Sequence, residues 1–417
     1  ILMISDVYFP RINGVSTAIM TLRRELTRQG HQVTLIAPDY GVLGGAPCSN
    51  EPDDAGIHRI RSRGVWGDPE DRMMLRSGID ALLPELEREG YDLVHIHTPF
   101  VAHYAGLKLA RALKIPVVET YHTFFEEYLF HYVPLVPKRV MRYLARAFSR
   151  SQCAALDGLV VPSRPMLDAL RNYGIGTRAE IIPTGIEMAD FAGGDGARFR
   201  ARHGIPHERP MLLFVGRVAH EKNIGFLLES LLYVRAIHPE VLLVIAGEGP
   251  ALPALRREAE RLDLSGHARF IGYLDRAGDL LDCYRAANLF VFSSRTETQG
   301  LVLLEAMALG VPVVGLAIMG TADVLCHGRG AHIAEDDVHD FARRVSLLLN
   351  DAAGRADLAK SALDYAREWT AAEMTARLAR FYEQTILKSR EAGQRPGQPL
   401  RKTDLPAEAA VRAVPRN

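Results

Sequence analysis

The chain has 417 residues, of which 48% are hydrophobic and 24% charged, as in a globular protein long enough for two large domains. Basic and acidic residues number 50 each, which argues against nucleic-acid binding through a general positive charge. The four cysteines form no CxxC pair, which disfavours a zinc knuckle or a disulfide framework and fits a reducing compartment.

Two features of the sequence favour a cytoplasmic location. No apolar run is long enough to predict a transmembrane helix. The chain starts with ILMIS, a strand-like segment that we interpret as leaving no room for a signal peptide. We therefore expect a cytoplasmic protein, either free or held peripherally on the inner face of the cytoplasmic membrane.

Short apolar runs alternate with helical segments along the first half of the chain. The predicted strands cover 1–5, 31–38, 92–98, 115–122, 157–163 and 179–185. Between them lie segments of helical periodicity such as STAIMTLRRELTRQG. Continuous apolar strands separated by helices predict a parallel sheet that is covered by helices on both faces.

A polar segment over 186–209 predicts a linker, and the strand–helix pattern restarts after it. The second set of predicted strands covers 211–217, 241–249, 268–274, 288–294 and 311–317. The sequence thus predicts two doubly wound α/β domains, over 1–185 and 210–364, that face a cleft. A helix is expected over 365–388, and 389–417, rich in Pro, Gly, Ala and Arg, is expected to be disordered.

Residues that follow strands are the first site candidates, because ligands of open α/β sheets bind outside the carboxyl ends of the strands. The first strand of the second set is followed by GRVAHEKN, in which Arg217 and Lys222 suit a phosphate or a diphosphate. An ordinary solvated turn with two basic residues is the alternative. The chain has no DxD triple, so its own cations would have to offset the charge of a diphosphate.

The fourth strand of the second set is followed by SSRTETQG and then by a predicted helix. The free amides of Gly300, Leu301 and Val302 would face an anion. Glu305, roughly 7 Å further along the helix axis, would accept hydrogen bonds from a ribose, and Glu297 from a second sugar. A capping acid and a surface acid are the alternative, which the apolar neighbours LVLL and AMAL of Glu305 disfavour.

The segment GEGP also follows a strand and contains Gly247 and Gly249. A GxG pair in this position is a weak signal for dinucleotide binding. Because the third glycine is missing and Pro250 follows, we interpret the segment as the turn before the next helix.

GRVAHEKN, GEGP, the E-x7-E span and ALGVPVV together resemble the retaining glycosyltransferases of family GT4, which have the GT-B fold. The resemblance extends to about residue 388. It implies two Rossmann-like domains, a C-terminal helix that crosses back to the first domain, and transfer of a hexose from a donor of the UDP-glucose or GDP-mannose type. It implies that Arg217 and Lys222 bind the donor diphosphate, that Glu297 contacts the transferred sugar and Glu305 the ribose, and that no metal or other cofactor is needed.

The first domain carries further candidates. Gly14 precedes a helix in DVYFPRINGVSTA and would offer amides to the donor; the family usually has Gly-Gly here, so only Gly14 is carried over. The resemblance implies that His122, at the end of a strand, contacts the transferred sugar, with a core histidine as the alternative. His95 and His97 lie on one face of a strand and could ligate a metal, although no third ligand is evident.

The segment 124–150 combines aromatic residues with a basic helix. Arg139, Arg142, Arg146 and Arg150 lie on or near one stripe, which predicts contact with an anionic membrane surface. A partly buried domain helix with a solvated basic face is the alternative. The region from TYHTFFEEYLFHYVP to IIPTGI resembles the diacylglycerol glucosyltransferase subgroup, which implies a membrane glycerolipid as the acceptor.

Three other functions stay open at this point. The same reaction could use a soluble acceptor, such as a sugar or a small metabolite. An NAD-dependent oxidoreductase could also use two doubly wound domains, although the incomplete GEGP fingerprint and the lack of an evident hydride site count against it. A non-catalytic sensor of sugar nucleotides is the third. The sequence assigns neither the nucleotide base, nor the sugar, nor the oligomeric state.

Overall fold

The computed structural model describes residues 1–11, 13–41, 55–65, 68–122, 138–275, 278–391 and 393. The aromatic part of the segment 124–150, up to residue 137, lies outside them, as does the predicted tail beyond residue 393. Within these ranges, no helix combines the length and the apolar character needed to cross a bilayer.

The first domain is built on an eight-stranded sheet. Its strands are β1 (Leu2–Ile4), β2 (Thr34–Asp39), β3 (Ile57–Val65), β4 (Asp68–Met74), β5 (Val94–Ile96), β6 (Val117–Thr120), β7 (Gly158–Val161) and β8 (Ala179–Ile181). The strand order is β4-β3-β2-β1-β5-β6-β7-β8, and every neighbouring pair is parallel except β3 with β4. The helices described here are α1 (Gly14–Arg28), α2 (Arg76–Ala81), α3 (Leu83–Glu89), α4 (Val101–Leu113), α5 (Lys138–Cys153) and α6 (Arg164–Asn172).

The apolar runs explain why the sequence predicts six of these strands. The residues of β1, β5, β6 and β7 are buried along their whole length, and two apolar clusters pack against the sheet. β3 and β4 were not predicted, because their sequences IHRIRSRGV and DPEDRMM are polar. They lie at one edge of the sheet, where continuous burial is not required.

The second domain is built on a six-stranded parallel sheet. Its strands are β9 (Met211–Val215), β10 (Leu242–Ala246), β11 (Ala268–Gly272), β12 (Leu289–Phe292), β13 (Val313–Leu316) and β14 (Ala331–Ala334), in the order β11-β10-β9-β12-β13-β14. The described helices are α7 (Gly196–Arg202), α8 (Ile224–Ile237), α9 (Leu252–Arg261), α10 (Asp279–Ala286), α11 (Leu301–Ala308), α12 (Thr321–Val324), α13 (Val338–Asn350) and α14 (Ala352–Ala366), followed by α15 (Ala371–Glu391). The sequence did not predict β14, a short edge strand.

The segment 186–209, predicted as a linker, is folded onto the second domain. It contains a 3₁₀ helix (Met188–Phe191) and α7. Phe199 and Ile205 are buried in the core of the second domain, because apolar side chains within a polar segment still seek a core. The crossing between the domains is therefore shorter than the predicted linker.

The C-terminal helix α15 packs on the first domain, against α1. Leu378, Phe381 and Tyr382 are buried in the same apolar cluster as Met3 of β1. The chain thus crosses twice between the domains, once after β8 and once before α15.

Candidate functional site

A cavity of about 630 Å³ lies where the carboxyl ends of the two sheets face each other. Most of its lining comes from segments that follow strands, among them β1, β5 and β6 in the first domain and β9, β10 and β12 in the second, as expected for an open α/β sheet. The nine residues predicted for donor binding or catalysis all line it: Gly14, His122, Arg217, Lys222, Glu297, Gly300, Leu301, Val302 and Glu305.

The start of α11 presents backbone amides to this cavity. Gly300 caps the helix with a φ of 91°, a left-handed conformation that a side chain would strain. The amides that follow, at Leu301 and Val302, begin the helix and have no partner in a preceding turn. Glu305 is 3% exposed, and the hydroxyl of Tyr284 donates a hydrogen bond of 3.0 Å to its Oε2 atom, which fixes the orientation of the carboxylate.

Lys222 and Glu297 form an ion pair in the cavity. The Nζ atom of Lys222 lies 2.5 Å from Oε1 of Glu297, and the two side chains are 22% and 15% exposed. The positive charge predicted for a diphosphate is therefore shared with the carboxylate predicted for the sugar. An anionic ligand that reaches Lys222 has to share this cation with Glu297 or displace it.

Hydrogen bonds between the ends of β9 and β12 bring this pair together. Lys222 ends a 3₁₀ helix that follows β9, and Asn223 comes next. The side-chain amide of Asn223 donates to the carbonyl of Ser293, and the hydroxyl of Ser293 donates to the carbonyl of Asn223 at 2.9 Å. Two loops that are 70 residues apart are thus fixed to each other.

The GEGP turn has a packing reason for its glycines. A Cβ atom on Gly247 would lie 2.0 Å from the carbonyl oxygen of Gly216, and one on Gly249 would lie 2.5 Å from that of Val218. These contacts hold the loop after β10 against the loop that leads to Arg217. The glycines are explained without a dinucleotide, in agreement with the interpretation of this segment as a turn.

His122 is half-buried and ends a chain of polar side chains whose other histidines, His95 and His97, are buried. Its Nε2 atom lies 3.2 Å from Nδ1 of His97. The ring of His97 packs against that of His95, with the centroids 3.9 Å apart and the planes tilted by 42°. His95 bonds through Nε2 to Thr120 at 2.7 Å and through Nδ1 to Tyr382 at 2.6 Å. Burial lowers the pKa of His122 to about 4 and that of His95 to about 3, so both rings are neutral at pH 7.

The alternative of a metal held by His95 and His97 finds no support here, because both ring nitrogens of His95 already have partners. Among the residues that the structure describes, the grouping of three metal-ligating side chains is His58, Glu85 and Glu89. None of these three lines the cavity.

Asp6 lines the cavity but was not among the predicted site residues. Its carboxylate accepts hydrogen bonds from the hydroxyl of Thr98 at 2.9 Å and from the amide of Ala102 at 3.0 Å. It is 8% exposed, and burial raises its pKa to about 6. Its position directly after β1 was the signal that could have identified it.

The first-domain side of the cavity is apolar and basic. Arg11, Arg72, Met73 and Phe100 all line it. Met73 and Phe100 are 53% and 57% exposed, so the cavity opens onto solvent beside two large apolar side chains. This opening was not predicted, because β4 was not recognised as a strand.

The arginines predicted to contact a membrane lie on α5, away from the cavity lining. Arg139 and Arg150 are exposed. Arg146 is half-buried, and its guanidinium lies over the ring of Tyr173 at 4.9 Å. The side chain of Arg142 is outside the described set. The exposed surface of α5 also carries large apolar side chains, namely Val140, Tyr143 and Leu144.

The chain matches two known families of glycosyltransferases. The family described as glycosyl transferases group 1 matches residues 195–369, and the one described as Glycosyltransferase Family 4 matches 12–190. An alpha-monoglucosyldiacylglycerol synthase of Streptococcus pneumoniae is 34% identical over 75% of this chain and 70% of its own length. A GDP-mannose-dependent alpha-mannosyltransferase of Mycolicibacterium smegmatis is 28% identical over 80% of this chain and 84% of its own length.

Among solved structures, Anabaena HepE in a complex with UDP-glucose has a similar fold. Its TM-score is 0.69 at 15% identity, over 92% of this chain and 99% of that one. The predictions of a GT-B architecture and of the family are confirmed by these matches. The chain therefore belongs to the GT4 glycosyltransferases of the GT-B fold.

Proposed function

We propose that this glycosyltransferase moves a hexose from a donor of the UDP-glucose or GDP-mannose type to a hydroxyl of a membrane glycerolipid. We propose further that the configuration of the sugar is retained and that no metal is required. One observation carries the proposal. A single cavity between the domains gathers the N-terminus of α11, the cations of Arg217 and Lys222, the carboxylates of Glu297 and Glu305, and the neutral ring of His122.

The second-domain side of the cavity suits the donor. The amides at the start of α11 with Lys222 and Arg217 would hold the diphosphate, while the carboxylate of Glu305, oriented by Tyr284, would accept from the ribose hydroxyls. HepE binds UDP-glucose, and the Mycolicibacterium relative is named for GDP-mannose, so nucleoside diphosphate sugars are the donor class.

Transfer in this cavity needs no nucleophile from the protein. The bond between the sugar C1 atom and the diphosphate oxygen breaks, the acceptor oxygen bonds to C1 on the same face, and the acceptor proton goes to the departing phosphate. Arg217, Lys222 and the helix amides stabilise the charge that develops on the leaving group. His122 is neutral at pH 7, so it would act on a sugar hydroxyl as a hydrogen-bonding group without a positive charge.

Three observations support a lipid acceptor. The pneumococcal relative is named as a synthase of a glucosyldiacylglycerol. The cavity opens beside the exposed side chains of Met73 and Phe100, and α5 exposes apolar and basic side chains together. Such a mixed surface suits an interface with anionic lipid, where apolar groups enter the acyl boundary and arginines meet the head groups.

The donor and acceptor are tested by a thermal-shift screen of UDP-glucose, GDP-mannose and NADH, followed by incubation of the stabilising donor with vesicles that contain diacylglycerol. We expect a sugar nucleotide to stabilise the protein and mass spectrometry to detect a hexosyl lipid, whose anomeric configuration is read by NMR. EDTA should leave the rate unchanged. Stabilisation by NADH alone, or a glycosylated soluble acceptor with no lipid product, would contradict the proposal.

The diphosphate site is tested by Lys222→Ala and Arg217→Ala. Each should reduce kcat by about a hundredfold or more, since each removes a cation from the leaving group. Arg295→Ala is the matched control, because Arg295 is exposed and pairs with Asp336 outside the cavity. Its rate should stay within about twofold of wild type.

Membrane binding is tested by flotation with vesicles that contain phosphatidylglycerol. Tyr143→Ser combined with Leu144→Ser should release the protein from the vesicles, since each lost apolar contact removes about 1–2 kcal/mol of interfacial burial. The control is Ile237→Ser, which removes an apolar side chain of comparable exposure, 58%, from the second domain. If the double variant of α5 floats with the vesicles as fully as Ile237→Ser does, α5 does not contact the membrane.

A further inference from the structure

The two crossings between the domains are paired with each other. The amide of Ile186 donates to the carbonyl of Trp369 at 2.8 Å, and the amide of Ala371 donates to the carbonyl of Ile186 at 2.9 Å. A Cβ atom on Gly185 would lie 2.4 Å from the carbonyl oxygen of Thr370. The crossing segments therefore touch at their backbones, and the residue just before this contact is Thr184.

The side chain of Gln299 forms two hydrogen bonds with the backbone of Thr184. Its Nε2 atom donates to the carbonyl of Thr184 at 2.7 Å, and its Oε1 atom accepts from the amide of Thr184 at 2.8 Å. Gln299 is 4% exposed. A carboxamide pairs here with a peptide group as one strand pairs with another, and it joins residues that are 115 positions apart.

Gln299 belongs to the loop that carries the donor-site residues. Glu297 lies two positions before it, and Gly300, which caps α11, lies one position after it. The amide of Gly320 donates to the carbonyl of Glu297 at 2.8 Å, and a Cβ atom on Gly320 would lie 2.0 Å from the carbonyl oxygen of Thr298. Gly320 thus holds this loop within the second domain. The bonds of Gln299 to Thr184 then determine the position of the loop relative to the first domain.

We propose that Gln299 is a positioning residue that sets the donor loop of the second domain against the first domain. Through the crossing at Thr184, it fixes the geometry across which Glu297 and His122 meet one sugar. This role rests on the donor half of the proposed function and is independent of the acceptor. The role requires a buried side chain that both donates and accepts, as the carboxamide of a glutamine does.

The chemistry of the pairing provides a switchable variant. In Gln299→Glu, a protonated carboxyl can still donate to the carbonyl of Thr184 and accept from its amide. An ionised carboxylate cannot donate, and it faces a carbonyl oxygen. Burial raises the pKa of a carboxyl group. The variant should therefore keep both hydrogen bonds to Thr184 at pH 5 and lose them at pH 8. Gln299→Leu, of similar size, cannot form them at any pH.

The experiment measures the distance between the domains with nitroxide labels. One label is placed on the exposed Cys326, and the other on Lys108→Cys in the first domain, where the lysine side chain is exposed. Cys153 and Cys283 are buried, and Cys48 is replaced by serine. We expect a narrow distance distribution for wild type at both pH values and a broader or shifted one for Gln299→Leu. Gln299→Glu should match wild type at pH 5 and Gln299→Leu at pH 8.

Kinetics with UDP-glucose and diacylglycerol vesicles give a second readout. Gln299→Leu should lower kcat at least tenfold and leave KM for the donor within about threefold, since the donor contacts remain. Arg24→Ala is the control: it removes an exposed ion pair between α1 and Asp190, another link between the domains, and should change neither readout.

An unchanged distance distribution in Gln299→Leu, or a distribution in Gln299→Glu that ignores pH, would overturn the proposal. If Gln299→Leu unfolds, Gln299→Glu at pH 5 still provides a folded reference. The change in its distance distribution between pH 5 and pH 8 then decides the role of Gln299. Wild type without lipid transfer would count against the proposed acceptor, while the distance measurements would still decide the role of Gln299.

Discussion

The ion pair between Lys222 and Glu297 leads us to predict two opposite effects of Glu297→Gln. If both residues serve the donor, this substitution should strengthen the binding of the bare nucleoside diphosphate while it slows transfer of the sugar. The carboxylate lies 2.5 Å from Nζ of Lys222 and competes with a phosphate for that cation. The glutamine keeps the size of the side chain and removes its charge.

The expected magnitude follows from the burial of the pair. The two side chains are 22% and 15% exposed, between the fully exposed pairs worth less than about 1 kcal/mol and the desolvated pairs worth several. Release of Lys222 should therefore add about 1–2 kcal/mol to the binding of the diphosphate. This corresponds to about a fivefold to thirtyfold decrease in Kd.

Isothermal titration with UDP, or with GDP if the donor screen selects it, measures this effect. Asp336→Asn removes a negative charge from the same domain outside the cavity, where Asp336 pairs with Arg295, and should leave Kd within about twofold. In turnover assays, Glu297→Gln should lower kcat, because a contact to the sugar is lost. Unchanged or weaker binding of the diphosphate by Glu297→Gln would refute the shared role of Lys222.

Two further predictions concern buried polar groups of the first domain. Tyr382→Phe leaves Nδ1 of His95 without its 2.6 Å partner and should lower the free energy of unfolding by about 1–3 kcal/mol in urea titrations, whereas Tyr233→Phe, at a side chain 42% exposed, should be neutral. Asp6→Asn should abolish a pH dependence, because the pKa of the Asp6 carboxyl is raised from 3.8 to about 6 in the folded protein. The contribution of this carboxyl to the free energy of unfolding falls by about 2 kcal/mol as the pH rises from 4 to 7. The difference in unfolding free energy between Asp6→Asn and wild type should change by that amount over this range, and a constant difference would exclude a buried ionisation at Asp6.

The sequence predicted the parts of the structure in which one local signal dominates. Buried parallel strands are continuous apolar runs, and their carboxyl ends are the place where an α/β sheet binds ligands. Arg217, Lys222, Glu297 and Glu305 could therefore be placed near one cleft from their positions after strands. The polar strands β3 and β4 at the edge of the first sheet were not predicted, because exposed strands lack a continuous apolar run.

The pairings within the site could not be predicted in the same way. The partner of Gln299 is a backbone group 115 positions away, and that of Lys222 is a side chain 75 positions away. Such contacts depend on how the loops of two sheets meet, which neither periodicity nor composition encodes. The one available signal was a polar residue, Gln299, close to the apolar run LVLL that predicts burial.

The arrangement of the chain also argues that the two domains are one functional unit. The match to the glycosyl transferases group 1 ends at residue 369, yet α15 begins two positions later and contributes Leu378, Phe381 and Tyr382 to the core beside β1. The first domain thus takes part of its core from the residues that follow the second. Because Tyr382 bonds to His95, which packs against His97, and His97 bonds to His122, α15 also supports the first-domain wall of the cavity. A chain of contacts therefore runs from α15 to the proposed site, and a change in α15 should alter the proposed reaction through the orientation of His122.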